Sequence, residues 1–234
     1  MSVGHKNITA GTLGCIVRDR TTGRRVILSN NHVLAYSNQA SIGDEILQPG
    51  KYDGGTLEDT IARLTRFVEI KEPPATNLVD VAIATPLNDA DVLDEILDIG
   101  KLVGVVEARE GMGVKKSGRT TGLTSGKVFD TLATVKVYGY PFPEEYAIFE
   151  DQLIADPIMK GGDSGSVWVS GDNRIMGLGF AGSDTFSVAN KIQHVFDLLN
   201  LEPPREIAVA AIPILALPLA VGMAVGMLFL AKSS

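Results

Sequence analysis

Short runs of alternating apolar and polar residues recur along most of the chain. Clear examples lie at 25–29, 61–68, 131–140 and 175–180, with turn signals rich in glycine, proline and aspartate between them. Alternation with a period of two places one face of a strand against a core. About a dozen such segments at short intervals are typical of an all-β sandwich or barrel.

Helical spacing of apolar residues is clearest near the end of this region. The segment 189–201 predicts a helix, because four apolar residues share one face: Ile192, Val195, Phe196 and Leu199. A second, short helix is predicted within 90–97, in an acidic connection between two halves of the chain. We therefore expect one unit over residues 1–100, a second over 101–200 and a proline-containing linker over 201–206, because proline cannot continue a helix.

Residues 207–231 form a different kind of segment, with 25 residues and no charge. As a helix this segment reaches about 37 Å, enough to span a hydrocarbon core of about 30 Å. Pro213 and Pro218 would kink such a helix, and Gly222 and Gly226 form a small-residue face suited to helix association. The sequence predicts a transmembrane helix here; the alternative is a helix buried in a protein core.

Composition narrows the function classes. The 234 residues carry a formal net charge of −7, which disfavours a nucleic-acid-binding protein, although a local basic patch remains open at Lys115, Lys116 and Arg119. Cys15 is the single cysteine, so no intrachain disulfide can form, and its apolar surroundings predict a buried strand residue. Three widely separated histidines and one cysteine form no spaced zinc motif, and we expect neither a metal nor a cofactor.

Candidate chemistry centres on the glycine-rich segment 161–166, which contains Ser164. Such a loop can present a hydroxyl and turn backbone N–H groups toward a developing oxyanion, but a serine needs a base as its partner. His32 follows an apolar strand, and Asp80 lies inside an apolar run, where a buried carboxylate requires hydrogen-bond donors. The alternatives are a hairpin with an incidental serine and an edge-strand aspartate that points to water.

Three motifs in this order carry a family resemblance: 29–34 around the histidine, 79–83 around the aspartate and 161–166 around the serine. The segments 117–126 and 177–183 add to it. The chain resembles trypsin-like serine peptidases of the chymotrypsin fold. It is most similar to a non-secreted branch that includes bacterial proteins and the plant leaf-width regulator NARROW LEAF.

The resemblance covers residues 8–200 and implies two six-stranded β-barrels with a site in the cleft between them. The first barrel would supply His32 and Asp80, and the second would supply Ser164. These residues would act as a triad of base, orienting carboxylate and nucleophile. The backbone N–H groups of Gly162 and Ser164 would form the oxyanion hole.

The sequence also departs from the digestive members of this family, because it has no disulfide and no activation site near its first residues. Asp163 stands where those members receive a new N-terminal amine, and the sequence leaves its partner open. Ile158 stands six residues before Ser164, where an acidic residue would favour basic side chains. We therefore expect an apolar or small P1 residue in a pocket that Ile158 forms with Phe180, Ala181 and Gly182.

The sequence thus predicts a serine endopeptidase tethered to a membrane by residues 207–231. No apolar secretory segment is visible at the start of the chain, so we expect the peptidase unit on the cytoplasmic side. Its partners would be protein or peptide substrates and the membrane, with self-association through Gly222 and Gly226. Two alternatives stay open: a pseudo-protease that only binds peptides, and a membrane effector whose tail acts under control of the protease unit.

Overall fold

The computed structural model describes residues 1–204, and they form a mostly β structure of short strands. The strands of the N-terminal half are β1 Ser2–His5, β2 Gly11–Thr12, β3 Cys15–Asp19, β4 Arg25–Ser29, β5 Glu45–Leu47, β6 Thr60–Phe67, β7 Thr76–Asn77, β8 Ala82–Pro86, β9 Glu95–Ile96 and β10 Gly100–Lys101. Those of the C-terminal half are β11 Gly113–Gly118, β12 Gly122–Tyr138, β13 Tyr146–Ala155, β14 Val167–Val169, β15 Ile175–Gly182, β16 Ser187–Lys191 and β17 Leu201–Glu202.

Within residues 1–204, helical structure is confined to short segments. The α-helices are α1 Asn31–Leu34 and α2 Ile192–Leu198, and single 3₁₀ turns lie at Lys51–Asp53, Leu57–Asp59 and Asp89–Asp91. The helix α1 directly follows β4, with Asn30 as its N-cap residue. This one-turn helix matters for the site, because it carries His32.

The first sheet contains eight strands in the order β17-β3-β4-β8-β6-β5-β1-β2. The β3–β4 hairpin is the clearest local element, because its turn residue Asp19 accepts hydrogen bonds from the N–H of Thr21 at 3.0 Å and the hydroxyl of Thr22 at 2.9 Å. Apolar side chains of alternating positions, such as Ile27 and Leu64, are fully buried on this sheet.

The second sheet closes on itself. Its strands follow the order β12-β11-β14-β15-β16-β13, and a further β12–β13 pairing joins the two ends into a ring. The short β7 adds outside β13 in parallel. The β12–β13 hairpin is long, and its tip at residues 139–145 projects toward the first sheet, where it meets the site.

The two sheets share one hydrophobic core and exchange short strands. Leu28 and Ile83 of the first sheet pack with Val169 and Leu178 of the second, and Val195 of α2 completes this cluster. The strand β17 pairs back onto β3, and β7 lies on the second sheet. The expected linker at 201–206 therefore begins with a strand of the first sheet.

Two sequence-based expectations need correction. The helix predicted within 90–97 is instead a 3₁₀ turn followed by β9. The closing helix begins at Ile192 because residues 187–191 belong to β16, whose ladder with β13 and β15 overrides the helical pattern. At 90–97 and at the start of the closing helix, pairing between strands outweighs the local helical pattern.

The predicted transmembrane segment at 207–231 lies outside the described residues. Among residues 1–204, no helix combines the length and the apolar character needed to cross a bilayer.

Candidate active site

His32 and Asp80 form a doubly bonded pair. The backbone N–H of His32 donates to Asp80 Oδ1 at 3.1 Å, and the ring Nδ1 pairs with Asp80 Oδ2 at 2.6 Å. Because a carboxylate only accepts, the short ring contact places the proton on Nδ1 and leaves Nε2 as the acceptor. The helix α1 thus presents the His32 ring in a fixed orientation, with Nε2 turned away from the carboxylate.

Asp80 is completely buried, and the donors expected for it are present. Its Oδ2 also accepts from the hydroxyl of Tyr140 at 2.5 Å, and its backbone N–H donates to Asn190 Oδ1 at 3.0 Å. Burial by itself would raise the pKa of Asp80, but the adjacent His32 and the hydrogen bonds hold it below its usual value. The carboxylate is therefore a fixed negative charge behind the imidazole.

Ser164 lies in a tight turn between β13 and β14. Gly162 and Gly165 on either side of it both have a φ of +94°, a conformation that glycine adopts without strain. A Cβ at Gly165 would collide with Ser29 Oγ and the carbonyl of Thr12. The backbone N–H of Thr12 also donates to the Ser164 carbonyl at 2.7 Å, so the first sheet fixes this turn.

His32 and Ser164 line one cleft of about 460 Å³, together with Gly162, Phe180 and Tyr140. The Ser164 hydroxyl donates to the Phe180 carbonyl at 3.2 Å and makes no hydrogen bond to His32. Catalytic hydrogen bonds are often long or absent in a substrate-free site and tighten only when substrate is bound.

The two predicted oxyanion donors have a defined orientation. The Gly161 carbonyl accepts from Thr120 Oγ1 at 2.7 Å, so the Gly162 N–H of the same planar peptide points the opposite way. The Asp163 carbonyl accepts from the Ser166 N–H at 3.0 Å, which likewise orients the Ser164 N–H. Neither N–H donates to another group within residues 1–204, so both are free to bind an anion.

Asp163 has a partner that the sequence left open. The carboxylate is fully buried and pairs with Lys116 Nζ at 3.3 Å, and Lys116 is equally inaccessible. Three backbone N–H groups and the Thr121 hydroxyl also donate to it, at 2.6–3.0 Å. Burial opposes its charge, but the Thr121 hydroxyl and the backbone donors hold the pKa of Asp163 below its usual value. Lys116 is therefore an interior residue and cannot belong to the local basic patch that the composition left open.

The predicted substrate-pocket residues are only partly brought together. Phe180 lines the cleft, and its ring packs on Phe149 with 4.7 Å between centroids. Ile158 is buried beneath the segment that leads to Ser164, while Ala181 is half-buried and Gly182 is exposed. These three do not line the cleft that contains His32 and Ser164.

Sequence reasoning missed Tyr140, Lys116 and Asn190. A weak signal existed for Lys116, because it shares strand parity with the buried Val114 in β11. Nothing local marks Tyr140 or Asn190, since each meets Asp80 across more than fifty residues of chain. Within the described part of the chain, no group of histidine, cysteine and carboxylate side chains is arranged to bind a metal ion.

Among the comparisons with known proteins, only the comparison with solved structures gives matches. No family model and no curated protein sequence matches the chain. Among solved structures, Nocardiopsis protease matches with a TM-score of 0.64 and 15% identity, covering 87% of this chain and 96% of that protein. Thermobifida fusca protease A matches with a TM-score of 0.61 and 16% identity, again over 87% and 96%.

A glutamic-acid-specific serine protease also matches, with a TM-score of 0.60, 17% identity and coverage of 86% of this chain and 96% of that protein. TM-scores of 0.60 to 0.64 over most of both chains establish the fold, which is the chymotrypsin-like double barrel, and identities of 15–17% establish nothing narrower. The narrower resemblance to the NARROW LEAF branch receives no support from these matches.

Proposed function

We propose that this chain is a serine endopeptidase that cleaves peptide bonds through His32, Asp80 and Ser164. One observation carries the proposal: the imidazole is bonded to the buried Asp80 and lines the same cleft as the Ser164 hydroxyl. A base oriented by a carboxylate beside a glycine-flanked serine is the constellation that activates a hydroxyl nucleophile.

The reaction follows from these positions. Ser164 Oγ forms a bond to the scissile carbonyl carbon while His32 Nε2 takes the hydroxyl proton. The imidazolium, stabilised by Asp80, gives this proton to the leaving amine as the C–N bond breaks. Water then attacks the acyl-enzyme while His32 Nε2 takes a proton from it. His32 returns this proton to Ser164 Oγ as the bond between Oγ and the acyl carbon breaks.

The turn around Ser164 would stabilise the charge that develops in this reaction. The N–H groups of Gly162 and Ser164 would bind the carbonyl oxygen as it becomes negative. Each such donor typically contributes about 3 kcal/mol of transition-state stabilisation. The carbonyls of the same two peptides accept hydrogen bonds from Thr120 and Ser166, which orients the N–H groups. Little reorganisation is therefore needed when the charge forms.

The chemistry of the cleft favours uncharged substrate side chains. Its lining includes Ile8, Val33, Val137 and Phe180, and none of the described residues that line it is an aspartate, glutamate, lysine or arginine. We infer a protein or peptide substrate with an apolar or small P1 residue.

A fluorophosphonate probe tests the nucleophile, because it labels only an activated serine. The wild-type chain should be labelled, and Ser164→Ala should not. Ser166→Ala is the matched control, since its hydroxyl is buried two residues away and has no hydrogen-bond partner among residues 1–204. Labelling that survives in Ser164→Ala would reject this serine as the nucleophile.

A peptide-binding pseudo-protease is the second candidate. The observation that favours it is the hydrogen bond of Ser164 to the Phe180 carbonyl in place of the imidazole. This function predicts that apolar peptides bind to the wild-type chain without cleavage and that the probe leaves Ser164 unlabelled. The same labelling experiment therefore separates the two functions.

We also propose that residues 207–231 tether the peptidase to a membrane, with the peptidase unit on the cytoplasmic side. The support is the uncharged length of this segment, which is sufficient to span a bilayer. Both sheets lie within residues 1–204, so the peptidase unit can be tested without the tail.

A further inference from the structure

Tyr140 is the one side chain, apart from His32, that donates to the carboxylate of Asp80 within the described chain. Its hydroxyl donates to Oδ2 at 2.5 Å, and the same oxygen pairs with the His32 ring at 2.6 Å. The other oxygen receives the backbone N–H of His32. Two of the three bonds to this carboxylate thus come from the residue that it must orient.

The phenol is held from a separate part of the fold. Tyr140 follows β12 at the tip of the long hairpin, where Gly139 has a φ of +97° and allows the chain to turn inward. Its ring packs against Phe149 at 5.7 Å and Phe142 at 6.2 Å between centroids. Its ring is nearly perpendicular to that of His32, with an interplanar angle of 89° and 6.5 Å between centroids.

The hydrogen bond from Tyr140 therefore holds Asp80 in place independently of His32. During the reaction the imidazole gains and loses a proton, so its own bonds to Asp80 change strength. The bond from Tyr140 spans the two sheets and is independent of that cycle. We infer that Tyr140 is a positioning residue that orients the Asp80 carboxylate toward His32, an inference that rests on the proposed peptidase function.

The protonation state of the phenol agrees with this role. Burial, followed by the charge of Asp80, raises the pKa of Tyr140 well above its usual value. The hydroxyl therefore keeps its proton throughout the neutral range and remains a donor to the carboxylate. Removal of this oxygen alone should leave the aromatic packing in place.

The test is Tyr140→Phe, with Tyr146→Phe as the matched control. Tyr146 lies on the other arm of the same hairpin, and its hydroxyl makes no hydrogen bond to a described residue; its ring instead packs on Tyr138 and Lys136. For Tyr140→Phe we expect kcat on a small apolar peptide to fall about tenfold with KM within about twofold, because a hydrogen bond to a charged group is lost behind the base. Tyr146→Phe should keep both constants.

A second readout does not require activity. The Nδ1 proton resonance of His32 reports the bond to Asp80, and it should move in Tyr140→Phe and stay in Tyr146→Phe. A merely structural tyrosine would lower the unfolding temperature without changing kcat or this resonance, and that result would overturn the inference. If the wild-type chain neither cleaves peptides nor reacts with the fluorophosphonate but the resonance still moves, the peptidase proposal fails and the positioning role stands.

Discussion

Asp163 Oδ2 and Lys116 Nζ lie 3.3 Å apart, and both side chains are completely enclosed. The aspartate is adjacent to Ser164, and the lysine comes from the middle of β11, forty-seven residues earlier. The ammonium group also donates to the Gly122 carbonyl at 3.1 Å and to the Thr121 hydroxyl. The serine turn is therefore fixed by a charge from within the second sheet.

Lys116→Met should destabilise the fold and impair the site together. Loss of the cation leaves the buried Asp163 carboxylate without its ion-pair partner, at a cost of about 3 kcal/mol. Because Asp163 lies between Gly162 and Ser164, and its carboxylate binds the N–H groups of Thr120 and Lys160 around the serine turn, kcat should fall even at temperatures where the variant is folded. Urea unfolding and peptide hydrolysis measure the two effects.

Lys115→Met is the control for this experiment. Lys115 neighbours Lys116 but is only half-buried, and its ammonium reaches the Gly171 carbonyl at 3.5 Å. Its loss should change the free energy of unfolding by less than about 0.5 kcal/mol. Equal effects of the two substitutions would show that the Lys116–Asp163 pair has no special role.

Asp80→Asn should retain the fold and lose most of the activity. An amide beside Nδ1 favours the wrong imidazole tautomer, and the equivalent change in a chymotrypsin-type triad lowers kcat by about 10⁴. Asp151→Asn is a matched control, because Asp151 pairs with His194 at 2.6 Å on the surface, away from the cleft. Hydrolysis rates for both variants decide the assignment, and a fully active Asp80→Asn chain would remove Asp80 from the triad.

Stability should decline in acid partly through Asp44. The N–H of Ser41, together with Lys6 and His5, lowers the pKa of Asp44 from 3.8 to about 2. Because the folded value lies below the unfolded one, this contribution is complete above pH 4 and is lost as the pH falls through about 2. After allowance for solvent screening it amounts to about 1 kcal/mol.

Urea unfolding between pH 7 and pH 2 measures this contribution. Asp44→Asn should lower stability at neutral pH and flatten its decline in acid. Asp98→Asn, at an exposed position of the connecting segment, should leave the slope as it is in the wild-type chain. An unchanged acid slope in Asp44→Asn would contradict the prediction.

Membrane association should depend on residues 207–231. The full chain should sediment with membranes and resist carbonate, whereas a chain that ends at Glu206 should stay in solution and still cleave a peptide. Val221→Arg should weaken membrane retention, since a charge at the centre of a spanning helix costs about 3 kcal/mol, while Val221→Leu should not. Full retention of the truncated chain on membranes would refute the tether.

The sequence alone predicts the mostly β fold, and it singles out the histidine, aspartate and serine on which the candidate site is built. Period-two alternation and frequent turn signals predict the β architecture, because a strand that buries one face imposes that period directly on the chain. Glycines beside Ser164 and a carboxylate in an apolar run are local patterns too. Each has a physical cause that lies within a few residues.

Only the tertiary structure decided what surrounds those residues. In the sequence Lys116 resembles a surface lysine, but the closed second sheet places it against Asp163. Tyr140 resembles an ordinary hairpin residue, but the tip of the hairpin brings its hydroxyl to Asp80. The sequence likewise predicts residues 189–191 as helical, but in the fold they pair with two strands. Such contacts join positions dozens of residues apart, and their energies depend on burial and partners that no local pattern contains.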